Sequence, residues 1–228
     1  NIGVQPRKLY EPECYPKAPS SFRVFPKEVL KDKSVCTIGF EPNKNHTKRL
    51  QRVKNHLTKK GARVMFFTKV AVGGEYSANT SFWTDHNYQH LEWGGNIEGL
   101  TYGGKEGDTV EVLSFASVMD EIKAYGGIKR LLIKMDIEGS EYSAMIKALM
   151  SRSLCSAAVQ TFIKMESHPQ SLDPKPPKWF FHSLMWMARF TDNACKQGRV
   201  KMLIEDDETY MYDVKFNISN RKCYVPPW

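Results

Sequence analysis

Two segments of this chain set carboxylates beside glycine or proline at the ends of apolar runs. In Leu131 to Met150, LLIKMDIEGSEYSAMIKALM, the run Leu131, Leu132 and Ile133 stops on Asp136, Glu138 and Gly139. The chain then turns into a helix whose Tyr142, Met145, Ile146 and Leu149 recur at helical spacing. Acids at the carboxyl end of such a strand face the crevice where open α/β sheets bind ligands. They could take a proton from a reacting group or contact a cationic ligand, or they could simply cap the helix amino end. In Val35 to Asn43, VCTIGFEPN, Glu41 ends a strand and is followed by Pro42. An acid there can accept hydrogen bonds from both hydroxyls of a ribose. Glu166 and His168, at the end of a third apolar run, are further candidate bases, although a histidine before proline is commonly just a loop residue.

Strands and helices must alternate to position these groups. Residues 1–34 are rich in proline and read as an irregular segment with at most a short helix near Lys27 to Leu30. The domain proper, 35–228, opens with a strand at Val35 to Phe40. A basic helix follows, then a strand at Arg63 to Phe67, with Lys69 to Val72 continuing extended. Leu131 to Ile133 reads as a strand buried on both faces, the pattern of a parallel sheet covered by helices. Val110 to Phe115 reads as a short strand, Ser117 to Tyr125 as a helix and Ala157 to Met165 as a buried strand. Gly73 to Asp108 carries Phe82, Trp83, Tyr88, Trp93 and Tyr102 among many glycines, which predicts a functional insertion, a lid or a local hairpin. Trp179 to Phe190 reads as an apolar helix, and Val200 to Glu205 with Tyr210 to Asn217 as an antiparallel hairpin at the edge of a mostly parallel sheet.

At 228 residues with 41% hydrophobic and 12% aromatic content, the chain can build one packed core, which excludes a disordered polymer. No apolar run reaches the roughly 18 residues a membrane span needs, so the sequence reads as a soluble globular domain. It starts at Asn1 without an initiator methionine, so a targeting signal or membrane anchor would lie upstream. The net charge of +8 concentrates between Lys44 and Arg63, where Leu50, Val53 and Leu57 form one apolar stripe on an otherwise basic helix. That is a solvated face first and an anion-attracting surface second. With no zinc-finger spacing, RNA-binding sheet motif or heptad zipper beside it, nucleic acid is not the expected partner. The five cysteines have no metal-ligand spacing. Cys36 and Cys155 read as small core residues, while Cys14, Cys195 and Cys223 could pair only in an oxidising compartment. Sequons at Asn45, Asn79 and Asn217 fit a secretory route, but a glycan on Asn45 would stand beside the loop that follows Glu41. Compartment and oligomeric state stay open.

FEPN at Phe40 to Asn43, KVAVGG at Lys69 to Gly74 and KMDIEGSE at Lys134 to Glu141 resemble, in order, three motifs of the FkbM-type methyltransferases. The resemblance covers about Val35 to His168, and KMDIEGSE is its specific part. It implies a Rossmann-like methyltransferase fold that uses S-adenosylmethionine, typically to methylate a hydroxyl. It also implies that Asn1-Ile2-Gly3 is the tail of the family's first glycine loop, with strand one absent from the chain as it stands. Two departures stand out. The proline-rich segment replaces the expected first helix, and Ala116 occupies a position where many members carry an acid.

The resemblance assigns roles to residues. Glu41, beside Pro42, holds the ribose. Backbone groups of Val70, Ala71 and Val72 contact the adenine, and Asn1 and Gly3 approach the amino-acid end. Asp136 contacts the charged end or acts as base, and Glu138 orients the acceptor, a hydroxyl on a small molecule or glycan. Glu166 and His168 remain base candidates, and no metal is expected. Two other classes compete. A metal-dependent O-methyltransferase would use Asp136, Glu138 and Glu166 as oxygen ligands for a hard divalent cation. A noncatalytic module would bind an anionic glycan through the basic helix and the aromatic insertion. An NAD-dependent dehydrogenase lacks its GxGxxG turn here.

Overall fold

The computed structural model describes residues 4–11, 24–32, 34–84, 95–97, 105–156, 158–166 and 200–204, together with Trp186, Arg189 and Cys195. These residues form a mixed α/β protein with two compact units, one within Asn1–Lys69 and another within Val70–Asp206.

In the first unit, α1 (Val4–Tyr10) and α2 (Lys27–Lys31) precede β1 (Cys36–Glu41). The chain then crosses through α3 (Thr47–Lys59) to β2 (Arg63–Thr68), which pairs parallel with β1 from Cys36↔Arg63 to Glu41↔Thr68. Leu50, Val53 and Leu57 are the buried stripe of α3, as their spacing predicts, and Gly61 ends the crossing with φ +83°. The expectation of an irregular amino-terminal segment needs correction, because Val4–Tyr10 is helical. Its Pro6 falls in the first turn, where a missing N–H breaks no intrahelical bond.

What holds α1 in place is a buried carboxylate. Glu11 is fully buried and meets Arg7 Nε at 2.8 Å, His56 Nε2 at 2.7 Å and Lys60 Nζ at 2.6 Å. Burial alone would raise its pKa, but the hydrogen bonds from Lys60, Arg7 and His56 outweigh that and lower it from 4.5 to about 2. Lys60, read as part of a solvated basic face, is still exposed yet also reaches the buried Glu11.

A second correction concerns the end of β2. The extended run does not continue through Lys69, which adopts a left-handed φ of 65° and donates its N–H to the Glu41 carbonyl at 2.7 Å. This kink separates β2 from β3 (Val70–Gly73), which joins a different sheet.

The second unit holds two sheets. β3, β4 (Ser77–Thr84), β5 (Gly95–Asn96) and β6 (Lys105–Ser114) take the order β3-β6-β4-β5, with β3 parallel to β6 and β4 antiparallel to both β6 and β5. Within the aromatic insertion, the local-hairpin reading is therefore the one that matches the described residues. α4 (Phe115–Ala124) leads to β7 (Arg130–Met135), and α5 (Glu141–Met150) leads to β8 (Gln160–Met165). β9 (Val200–Ile204) completes an all-parallel β7-β8-β9 sheet. Residues 210–217, the expected hairpin partner of that last strand, lie outside the described residues, as does the 179–190 segment apart from helical Trp186 and Arg189.

Strand alternation sends Met135, Ile163, Met165 and Met202 into one core with Met119 of α4 and Met145 of α5. Full burial of each such side chain contributes roughly 1.5–3 kcal/mol. The opposite face is less covered: Leu132 is half-buried and Leu203 is exposed, so the expectation of burial on both faces is met on one. Cys155 was expected to be a small core residue, and it does pack against this core. It also forms a disulfide with Cys195, which is itself buried in this core. Cys36 was expected to be buried too, but it is an exposed free thiol at the start of β1. Among the described residues no helix is long and apolar enough to cross a membrane.

Candidate functional site

The passage from β7 to α5 is a tight turn carrying two left-handed residues in succession, Glu138 at φ 52° and Gly139 at φ 104°. Glycine adopts this conformation freely, whereas a glutamate there costs about 1 kcal/mol. Glu141, fully buried at the first position of α5, offsets that strain. Its Oε1 accepts the Ile137 N–H at 3.1 Å, and its Oε2 accepts the Gly139 N–H at 2.7 Å. The carboxylate that secures the helix amino end is therefore Glu141, a residue the sequence reading passed over. A glutamate in the first helical turn after a glycine is the signal that could have found it.

Asp136 stands at the carboxyl end of β7, and Glu166 stands beside it because the Glu166 N–H donates to the Met135 carbonyl at 2.9 Å, extending the ladder past β8. Lys134 joins the two acids, with its Nζ 2.9 Å from Asp136 Oδ2 and 3.2 Å from Glu166 Oε2. All three are largely shielded, with side-chain exposures of 13% for Lys134, 14% for Asp136 and 8% for Glu166. Lys164, opposite Lys134 in the β7–β8 ladder and also buried, lies on the same strand face, so two acids and two lysines share this end of the sheet. Carboxylates placed at the carboxyl ends of parallel strands can accept hydrogen bonds or a proton from a ligand bound there. Lys134 also went unremarked in the sequence, although residues two apart on a strand share a face and should have been read together.

In the metal-ligand reading Asp136, Glu138 and Glu166 would hold the cation, and here the Lys134 ammonium pairs with two of the three, Asp136 and Glu166. Among the described residues no group of three or more His, Cys, Asp or Glu side chains could hold a metal ion.

In the first unit, Glu41 ends β1 with a side chain 17% exposed. Its Oε1 accepts the Asn43 N–H at 3.0 Å, and its Oε2 lies 3.4 Å from His46 Nδ1. Buried Asn43 in turn accepts the Asn45 N–H at 2.9 Å, which starts a single 3-10 turn at Lys44–His46. Pro42 fixes the backbone between the strand and this turn. Glu41 is thus held from its own loop. Each carboxylate oxygen can accept more than one hydrogen bond, so acceptor capacity remains for a diol.

Val70, Ala71 and Val72 lie on β3, which among the described residues pairs only with β6, so alternate backbone groups fall outside that ladder. Gly74, at the end of the same motif, is pressed against α5. A Cβ on it would come within 2.9 Å of Ser143 Cβ and 3.0 Å of the Ser143 carbonyl carbon. Asn1, Gly3 and His168 lie outside the described residues. Asp136, Glu138 and Glu166 belong to one unit, and Glu41 to the other.

Residues 15–192, more than three quarters of the chain, match the family model described as the methyltransferase FkbM domain. No curated protein and no solved structure matches the chain. The matched span contains all three motifs whose geometry is set out above, together with Lys134 and Glu141, which fix the acidic junction. The chain belongs to the FkbM methyltransferase family, and the protein is a methyltransferase.

Proposed function

We propose that this methyltransferase uses S-adenosylmethionine to methylate a hydroxyl oxygen on a small molecule or glycan. The observation that carries the reading is the Lys134, Asp136 and Glu166 trio at the carboxyl ends of β7 and β8. Each unit by itself carries groups of a kind the cofactor needs: in the first, Glu41 is a carboxylate able to accept from a ribose diol, and in the second, β3 has backbone groups suited to adenine and Asp136 and Glu166 are carboxylates suited to a cationic sulfonium and ammonium. When bound, S-adenosylmethionine supplies a methyl group already activated toward an oxygen nucleophile.

The chain's own residues then have two tasks, to hold the hydroxyl in line and to accept its proton. Asp136 is the proposed acceptor of that proton at its carboxylate. Lys134 keeps the Asp136 carboxylate oriented and balances part of the charge it shares with Glu166. Glu138, lifted into the left-handed region beside Asp136, is the proposed contact for the acceptor hydroxyl.

Calorimetric titration of the full-length protein with S-adenosylmethionine tests the cofactor. Binding that is lost in Glu41→Ala supports the reading, and no binding by the wild-type protein refutes it. With binding intact, transfer of a labelled methyl group to hydroxyl-bearing acceptors should fall at least 100-fold in Asp136→Asn, the order of magnitude expected for loss of a general base. Unchanged transfer would remove Asp136 from that role.

A further inference from the structure

The disulfide and one exposed sequon, neither used by methyl transfer, bear on where the protein matures. Cys155, just beyond α5, is bonded to Cys195, and the pair closes a 40-residue separation at the edge of the larger core. Such bonds form and persist in oxidising compartments and are rare where thiols are kept reduced. The same compartments modify Asn-X-Ser/Thr sequons. Asn79-Thr80-Ser81 is one, and its asparagine lies on β4 with its side chain exposed. β5 pairs with β4 only at Trp83 and Thr84, so at Asn79 the side of β4 away from β6 has no strand beside it among the described residues. The buried residues of β4, Phe82 and Thr84, carry the packing.

Asn45 also lies in a sequon and is also exposed, but its backbone N–H is bonded into the turn that holds Asn43 and Glu41. A glycan there would crowd the loop with the proposed ribose acceptor. Asn79 has no such role.

We infer that the protein matures in the secretory pathway and carries an N-linked glycan on Asn79. In that transfer the Asn79 Nδ2 forms a bond to the anomeric carbon of a lipid-pyrophosphate-linked oligosaccharide. The bond from that carbon to the pyrophosphate oxygen breaks, its electron pair leaves with the lipid pyrophosphate, and the proton lost by Nδ2 goes to the transferring enzyme. The glycan projects from β4, and the disulfide fastens the segment after α5, so both modifications suit a domain working outside the reducing cytosol. This inference is independent of the methyl donor.

The test uses full-length protein from its native source. One portion is alkylated before reduction and another after it, and both are digested and treated with peptide N-glycosidase in heavy-oxygen water. The expected result is conversion of Asn79 to heavy-oxygen aspartate, with Cys155 and Cys195 alkylated only after reduction. An unmodified Asn79 peptide overturns the glycan, and alkylation of both thiols before reduction overturns the compartment. As a second measurement, Asn79→Gln protein secreted from cultured animal cells should lose the gel shift of one glycan relative to wild type. An unchanged shift would also overturn the assignment.

Discussion

Replacing Glu141 by glutamine should loosen the Asp136 to Gly139 turn without unfolding the chain. The side chain is fully buried and accepts two backbone N–H groups, from Ile137 at 3.1 Å and Gly139 at 2.7 Å. Hydrogen bonds to a charged group contribute about 1.5–3 kcal/mol each. Glutamine keeps one carbonyl oxygen but turns an NH2 toward the other N–H, so roughly one bond is lost, at a cost of about 2 kcal/mol. Glu141→Ala would lose both, about 3–6 kcal/mol, a large share of the 5–15 kcal/mol that typically holds a domain together. The glutamine variant is therefore the informative one. Amide hydrogen exchange should show the Gly139 N–H, buried and bonded in the wild type, exchanging about 30-fold faster, because each 1.4 kcal/mol is a factor of ten. On the proposed use of S-adenosylmethionine, affinity for it should fall too, since Asp136 rides on the same turn. Unchanged exchange at Gly139 would refute the claim that Glu141 fixes the junction. Faster exchange with unchanged affinity would show that the turn and the ligand are uncoupled.

Two further predictions concern the packing inside each unit. The Glu11 carboxyl titrates at about 2 when folded against 4.5 ordinarily, so its contribution to stability is fully present above about pH 4.5 and is lost as pH falls toward 2. The shift corresponds to about 3 kcal/mol, reduced to about 2 by solvent screening at the partly exposed Lys60 end. Urea melts between pH 5 and 2 should show this loss in the wild type and not in Glu11→Gln, and parallel pH profiles for the two proteins would refute it. Gly74→Ala should lower stability by about 1–3 kcal/mol, because its Cβ meets the Cβ and backbone of Ser143, atoms fixed by α5 rather than the far end of a movable side chain. Thermal unfolding would read this directly, and an unshifted midpoint would mean that the β3 to β4 turn gives way without cost.

The elements that position the site were legible wherever apolar residues repeat with a clean period. The Leu50, Val53 and Leu57 stripe announced α3, and the apolar runs ending at Asp136 and Glu166 announced β7 and β8. What sequence concealed was mostly charge that faces inward. Lys134, Glu141, Arg7 and Glu11 each carry a side chain that ordinarily marks solvent, and their burial depends on partners that period and composition do not identify. The prolines hid α1, since a proline that breaks a helix interior is harmless in its first turn. Lys69 hid the break between β2 and β3, because its left-handed conformation came without a glycine to signal it. The disulfide was hidden by distance along the chain, as 40 residues separate the two sulfurs.

The family motifs also divide differently once the geometry is known. In KMDIEGSE, Lys134 and Asp136 form part of the shielded charge cluster proposed for the chemistry, while Gly139 and Glu141 build the turn beside it. KVAVGG divides in the same way. Val70 to Val72 offer backbone groups outside the ladder to β6, whereas Gly74 is needed for close approach to Ser143, two residues beyond Glu141 on α5. The second glycine of one motif thus packs on the helix started by the other. A side chain at Gly74 would push on the helix whose first residue holds the Asp136 turn. The two motifs therefore constrain one another through packing, and the effect of a substitution at Gly74 should reach Asp136 by way of α5 rather than by way of any ligand.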